Sequence, residues 1–443
     1  MTAKSNFLLV SIMTLVGILW CSITFGYPTI YPTGTTIYYP EKTYSSYILV
    51  PEGHVNTNNP ERKVRENLDS STGDSFPWAY KFKRSTEMRL IDMNGNTVHK
   101  WNVIRNYNSR ARLTKDGHLV IIDEEINAEI LEYDWDGNVV FRYKPPKGYL
   151  PHNDLQVLAN GNIMFLCIEQ VPEEYLKDVK DVDTPWWGTI KRKGVKMSGD
   201  AIFEVNHKGE VVWEWHAHQH LDLNKFSPVN EMFDWDHGNA IFPVPENKWY
   251  DGGDKRFKPG NIIFNARNLN TIYIIDKDTK QIVWEYTHNY KGGMAHCHES
   301  KMIEKGLPGA GDIIFFDNGL FPRHRDHSGQ TFILEINPVT KVIVWIYETL
   351  GYSNIKFFSK TKGSMARLPN GNTFISEDNT GRLFQVDPEG DIVWEYVNRT
   401  DTSRAEPYAY DYCPQFKAMP RPRELKLTPP NNLEWHLKPD ALR

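Results

Sequence analysis

Cysteine is scarce. Four occur among 443 residues, and Cys21 lies in an apolar N-terminal run, which leaves Cys167, Cys297 and Cys413 in the body. Three thiols cannot all pair within one chain, so this is not a disulfide scaffold. Charge of one sign is lacking too. The net charge of −5 offers nucleic acid no bulk attraction, so no nucleic-acid partner is expected and any anion site must be local. No Gly-x-x-x-x-Gly-Lys-Ser/Thr loop exists. Gly306-Leu307-Pro308-Gly309-Ala310-Gly311 lacks the lysine and reads as a turn, so nucleotide-phosphate binding is unsupported. The Gly-x-Ser-x-Gly elbow of many hydrolases is absent as well. Long apolar runs are missing except over 7–25, which is uncharged and preceded by Lys4. Residues 1–26 therefore read as a signal peptide or N-terminal anchor, with Thr24-Phe25-Gly26 permitting cleavage before Tyr27. The run is about long enough to span a bilayer. The expectation is export, periplasmic or extracellular, with membrane anchoring by 7–25 as the alternative; a homodimer stays open.

What is present is aromatic and repetitive. Aromatics make up 13% of the chain, including 14 Trp, which suits an all-β protein that buries flat side chains between sheets. Helical periodicity is almost missing, and a β unit recurs instead. Gly161-Asn162-Ile163-Met164-Phe165 leads to Phe203-Glu204-Val205-Asn206 and then Val211-Val212-Trp213-Glu214-Trp215. Further copies start at Gly260, Gly311 and Gly371, a fainter one at Gly117, and a partial one spans Arg89 to Trp101. The closing aromatics are Trp101, Phe141, Trp213, Trp284, Trp345 and Trp394. Apolar and polar residues alternate within each unit, and Asp-Gly or Asn-Gly turns join the strands. Six copies predict an all-β, six-bladed β-propeller over 78–420. A short extended β arm precedes it over 27–77, with Thr36-Ile37-Tyr38-Tyr39 and Tyr47-Ile48-Leu49-Val50 as candidate strands, and a tail follows over 421–443. Trp213, Trp284, Trp345 and Trp394 are expected to be buried between blades. The connections 169–200 and 216–236 are too long for turns and are expected to cover one face.

The lead-in to each blade carries the sharpest signal. It reads His152-Asn153-Asp154, then His237-Gly238-Asn239, then His298-Glu299-Ser300. One such histidine reads as a satisfied polar residue. Three at one repeat position line a channel, because the innermost strands of successive blades converge on one axis, and titratable groups gather at sites. Arg323 and Arg325, in a loop after the blade-five strand, read either as solvated surface or as a fork onto oxyanions. In His216-Ala217-His218-Gln219-His220, alternate residues on a strand would share a face and could ligate zinc, but the strand should end just before them, so no metal is expected. Cys297 reads as a buried thiol, pointing away from its flanking histidines.

These motifs together resemble a known family. The blade start Leu-x-Asn-Gly-Asn-Ile, Asp234-Trp235-Asp236-His237-Gly238-Asn239, Phe316-Asp317-Asn318-Gly319, Val-Trp-Glu-Tyr and Tyr410-Asp411-Tyr412-Cys413-Pro414-Gln415 resemble the bacterial arylsulfate sulfotransferases over roughly 78–420. The resemblance implies transfer of a sulfuryl group from an aryl sulfate donor to a phenolic acceptor through a sulfated histidine, with no nucleotide sulfate and no cofactor. By position His237 and His298 match binding histidines of that family, and Arg323 or Arg325 its arginine; with the ring reading, His298 and His237 are expected to be catalytic and His152, His296, Asn318, Arg323 and Arg325 to bind substrate. In that family the sulfated histidine precedes an Arg-Ala pair near the C-terminus. Here the pair follows Asp401-Thr402-Ser403, without a histidine. Either another ring histidine, His298 first, takes that role, or the chain is a non-catalytic propeller that binds an anionic or aromatic ligand or a protein partner.

Overall fold

The computed structural model describes residues 33–52, 85–104, 110–123, 128–184, 188–225, 234–319, 329–349 and 357–428. Six antiparallel sheets of at least four strands form the expected six-bladed propeller. Blade two runs Ala111–Leu113, Leu119–Asp123, Glu129–Tyr133, Val139–Tyr143, and blade three Leu150–Val157, Ile163–Gln170, Ser198–Val205, Val211–His216. Blade four is Gly238–Pro243, Ile262–Ala266, Thr271–Ile275, Ile282–Tyr286, and blade five Glu299–Met302, Ile313–Asp317, Phe332–Ile336, Ile343–Tyr347. Blade six comprises Ser364–Arg367, Thr373–Glu377, Arg382–Val386 and Ile392–Val397.

The first strand of each unit is innermost and touches its counterpart next door. Gln156 Nε2 donates to Ile241 O at 2.6 Å, and Ile241 N donates to Asp154 Oδ2 at 2.9 Å. Second strands such as Ile262–Ala266 are buried throughout, which is why they read as continuous apolar runs rather than alternating ones. Outer strands such as Val139–Tyr143 are mostly exposed.

Blade one is where the ring closes. Its innermost strand, Glu406–Ala409, comes from the C-terminal part of the chain and pairs with Ser46–Pro51, followed by Ser85–Ile91 and Thr97–Ile104. Gly34–Tyr38 pairs with Ile392–Val397 as a fifth strand of blade six. The two strands expected in an extended arm are thus hydrogen-bonded into the propeller.

The closing tryptophans lock neighbouring blades. The Nε1–H of Trp101, Trp213, Trp284, Trp345 and Trp394 donates to Asp134 O, Lys277 O, Pro338 O, Pro388 O and Met93 O, at 2.8–3.1 Å. Each acceptor lies at the turn joining the third and fourth strands of the following blade. Trp101, Trp284 and Trp394 are buried, whereas Trp213 and Trp345 are only partly covered, so burial holds for part of the expected set. Phe141 occupies the sixth place and has no N–H to give. At each second-strand start the glycine adopts a φ of +83 to +95° at Gly117, Gly161, Gly260, Gly311 and Gly371, a region closed to most L-residues.

Candidate active site at the channel mouth

Five described blades enter the channel through a non-glycine residue in the left-handed region: Asn153 (φ +56°), His237 (+44°), His296 (+60°), Lys362 (+60°) and Arg404 (+57°). Such conformations persist only where the surroundings over-determine them, and they cluster at functional sites. The surroundings here are side chains that fix each turn. Asp317 Oδ1 accepts from Ala295 N at 3.0 Å. Asp378 Oδ2 accepts from Gly363 N and Arg404 N, both at 2.8 Å. Asp200 Oδ2 accepts from Gly238 N at 2.6 Å. A register shift at Asn153–Asp154 and another at Asn239 mark β-bulges, a device that re-aims side chains.

The three histidines read at one repeat position stand at three steps of it. His237 occupies the left-handed position, His152 precedes Asn153, and His298 follows His296 by two residues. The bulges and the His296 turn shift the register, so the spacing differs from blade to blade. Two of them meet directly. The rings of His152 and His237 meet edge to face with centroids 5.9 Å apart. Asn153 Nδ2 lies 3.4 Å from His237 Nε2. Arg404 Nη1 donates to Asn153 O at 3.4 Å, and Arg267 Nη2 reaches His296 Nδ1 at 3.5 Å. Arg323 and Arg325 lie outside the described residues.

His298 is fixed in one tautomer. Asn318 Nδ2 donates to two carbonyls, Ser359 O and Lys362 O, each at 2.8 Å. Its Oδ1 therefore faces His298 Nδ1 at 2.7 Å, and His296 O stands 2.9 Å from the same nitrogen. Both are acceptors, so Nδ1 carries the proton and Nε2 the lone pair. Burial, then the nearby positive charges of Arg267 and Arg404, hold this imidazole well below its ordinary pKa, so it stays neutral. Asn318 thereby uses its polar atoms on the protein, orienting His298.

His152 and His237 face carboxylates instead. His152 Nε2 donates to Asp200 Oδ1, and His237 Nδ1 to Asp234 Oδ2. Burial alone would raise Asp234, but His237, His152 and Arg267 together lower it, and it is ionised at neutral pH. Asp236, buried beside Asp200 and Asp234, is raised well above the carboxylate range and keeps its proton. Cys297 is a buried thiol pushed up by burial, as read from the sequence.

Further along the innermost strands the channel is filled by charge. Arg110 binds Asp154 and Glu299, Arg112 grips both oxygens of Glu406 at 2.5 and 2.6 Å, and Lys301 lies 2.8 Å from Glu299 Oε1. The Phe242 ring sits among Arg112, Lys301 and Arg110 at 5.0–5.6 Å. Burial lowers the Lys301 ammonium to about 7. Sequence reading missed Arg267, Arg404 and the carboxylates. Asp234 and Asp236 stood in a motif and Arg404 in the visible Arg-Ala pair, but the blade that Arg404 opens is split across the chain and the carboxylates were given no role.

The fold is a β-propeller whose blade entries carry imidazoles and guanidiniums in contact with one another. The arylsulfotransferase (ASST) family model matches residues 148–399, over half of the chain, and the chain belongs to that family. No curated protein matches it. Among solved structures, similarity extends to a Bacteroides caccae protein of unknown function (14% identity, 82% of this chain and 99% of that one, TM-score 0.45). A streptogramin B lyase (16%, 66% and 70%, 0.37) and Kuenenia stuttgartiensis hydrazine synthase (11%, 73% and 86%, 0.41) are also similar.

Proposed function

We propose that the protein transfers a sulfuryl group from a phenolic sulfate ester to a phenolic acceptor through a sulfated His298. The observation that carries this reading is the neutral His298 imidazole with its Nε2 lone pair, oriented by Asn318 and subject to the positive charges of Arg267 and Arg404. In the first half-reaction His298 Nε2 attacks sulfur, the S–O(aryl) bond breaks, and the phenolate leaves with the electron pair and takes the Nε2 proton of a His237 imidazolium, which becomes neutral with its Nδ1 proton still donated to Asp234. In the second, His237 Nε2 removes the proton of the acceptor phenol while Asp234 stabilises the imidazolium. The phenol oxygen then attacks sulfur, and the S–N bond breaks to restore neutral His298. Arg404, Arg267, His296 and His152 face the sulfuryl oxygens and stabilise charge that grows on them, and Arg323 or Arg325 would complete the shell. Asn318 has a positioning role. Family membership supports the reaction class, and no nucleotide or cofactor enters the cycle.

Residues 7–25 lie outside the described residues; among the described ones, no helix is long and apolar enough to cross a membrane. Export with cleavage before Tyr27 is the setting that we assign, and N-terminal sequencing of mature protein tests it. Transfer is tested in nucleotide-free buffer with an aryl sulfate and a phenol. Wild type should turn over and His298→Ala should not, since the covalent route itself is gone. Binding of aryl sulfates without any transfer by wild type would favour a binding propeller, with the missing histidine at Thr402 as its simplest explanation.

A further inference from the structure

The two long connections of blade three leave the sheet at one place. Glu169 lies near the end of Ile163–Gln170, where the first connection departs. His216 ends Val211–His216, where the second departs, and His218 follows in the one-turn helix Ala217–His220. His216 Nδ1 lies 3.0 and 2.9 Å from the two oxygens of Glu169, and His218 Nδ1 lies 3.0 Å from Oε1. One ligand atom from each residue falls within 4.8 Å of the others. Glu169 and His218 are buried, and the edge of Tyr175 covers His218 with ring centroids 4.6 Å apart. His220 takes no part: its ring stacks on Trp215 at 5.3 Å. The zinc set considered from the sequence, on a continuing strand, is therefore not the one assembled. The strand turns into a helix after His216, which sends His220 away and brings Glu169 in.

We propose that Glu169, His216 and His218 bind one divalent transition ion, with water completing the shell. Two imidazoles from different elements turn the same ring nitrogen to one carboxylate, a donor set that suits zinc and its late first-row neighbours. An ion about 2.1 Å from two donors 3.0 Å apart views them at about 90°. The ion ties the departure points of both connections. Their return points carry Asp200 and the Asp234–His237 pair, so the clamp steadies one wall of the mouth. Inside the connections, Lys180 N donates to Asn224 Oδ1 and Arg192 Nη2 to Leu223 O, both at 2.8 Å, so hydrogen bonds already join them.

The test is metal titration of chelator-treated full-length protein. Cobalt(II) should bind with one equivalent and develop visible ligand-field bands, and zinc should displace it and raise the melting temperature. Glu169→Gln and His218→Ala should weaken binding more than the roughly 10–100-fold that even outer partners of a ligand cost. His298→Ala should leave it unchanged. In wild type alone, zinc should protect the peptide with His216 and His218 from histidine acylation. No one-equivalent binding, binding that survives both ligand variants, or protection elsewhere only would overturn the proposal.

Discussion

At the residue scale, the proton of His298 decides what the site can do. Only the neutral imidazole attacks sulfur, so activity falls as pH drops through the lowered pKa, and the acid limb of kcat/KM should lie below the ordinary histidine value of about 6.5. Arg404→Gln removes one of the charges that lower it. The limb should then move to higher pH, and kcat/KM should fall by about 10²–10³, the scale of one lost stabilising donor. A pH–rate profile checks both; an unmoved limb would remove Arg404 from the site. His237 and His298 were legible in the sequence because blade starts repeat. Asp200, Asp234 and Asp236 were not, since their roles depend on which loops return together. Asn318 was visible, but its orienting role rests on two backbone carbonyls that no sequence displays.

At the element scale, the indole locks join one blade to the next. Trp284 is 4% exposed and donates to Pro338 O of the next blade at 2.8 Å. Trp284→Ala should cost about 3–5 kcal/mol, read as a loss of denaturant midpoint, and Trp284→Phe should recover all but about 1 kcal/mol of hydrogen bonding. Equal losses in both would mean that packing carries little. Second, third and fourth strands were legible because the glycine start, the acidic turn and the closing aromatic recur. Glu406–Ala409 carries none of these marks and contains a proline, so its place as an innermost strand could not be read. Strands were read at 36–39 and 47–50, but the strand that Gly34–Tyr38 pairs with, and one of the two that Ser46–Pro51 pairs with, lie more than 300 residues away.

At the scale of the whole molecule, both ends of the described chain close the ring. Tyr47 of blade one packs edge to face against Tyr410 and Phe416, with centroids 4.6 and 4.9 Å apart. A chain ending at residue 402 loses that strand, leaves Ser46–Pro51 as an open edge and removes Arg404. Scanning calorimetry should find no single cooperative transition and size exclusion should find association; a wild-type melt would contradict closure at blade one.

The central claim is covalent, and a single-turnover experiment tests it most directly. Wild-type protein mixed with an aryl [³⁵S]sulfate and no acceptor should release about one phenol per chain and retain the label in acid-labile form on the peptide that carries His298. Added phenol should discharge it. His237→Ala should slow labelling without abolishing it, and His298→Ala should abolish it. Label on another peptide, or phenol release without retained label, would contradict the account.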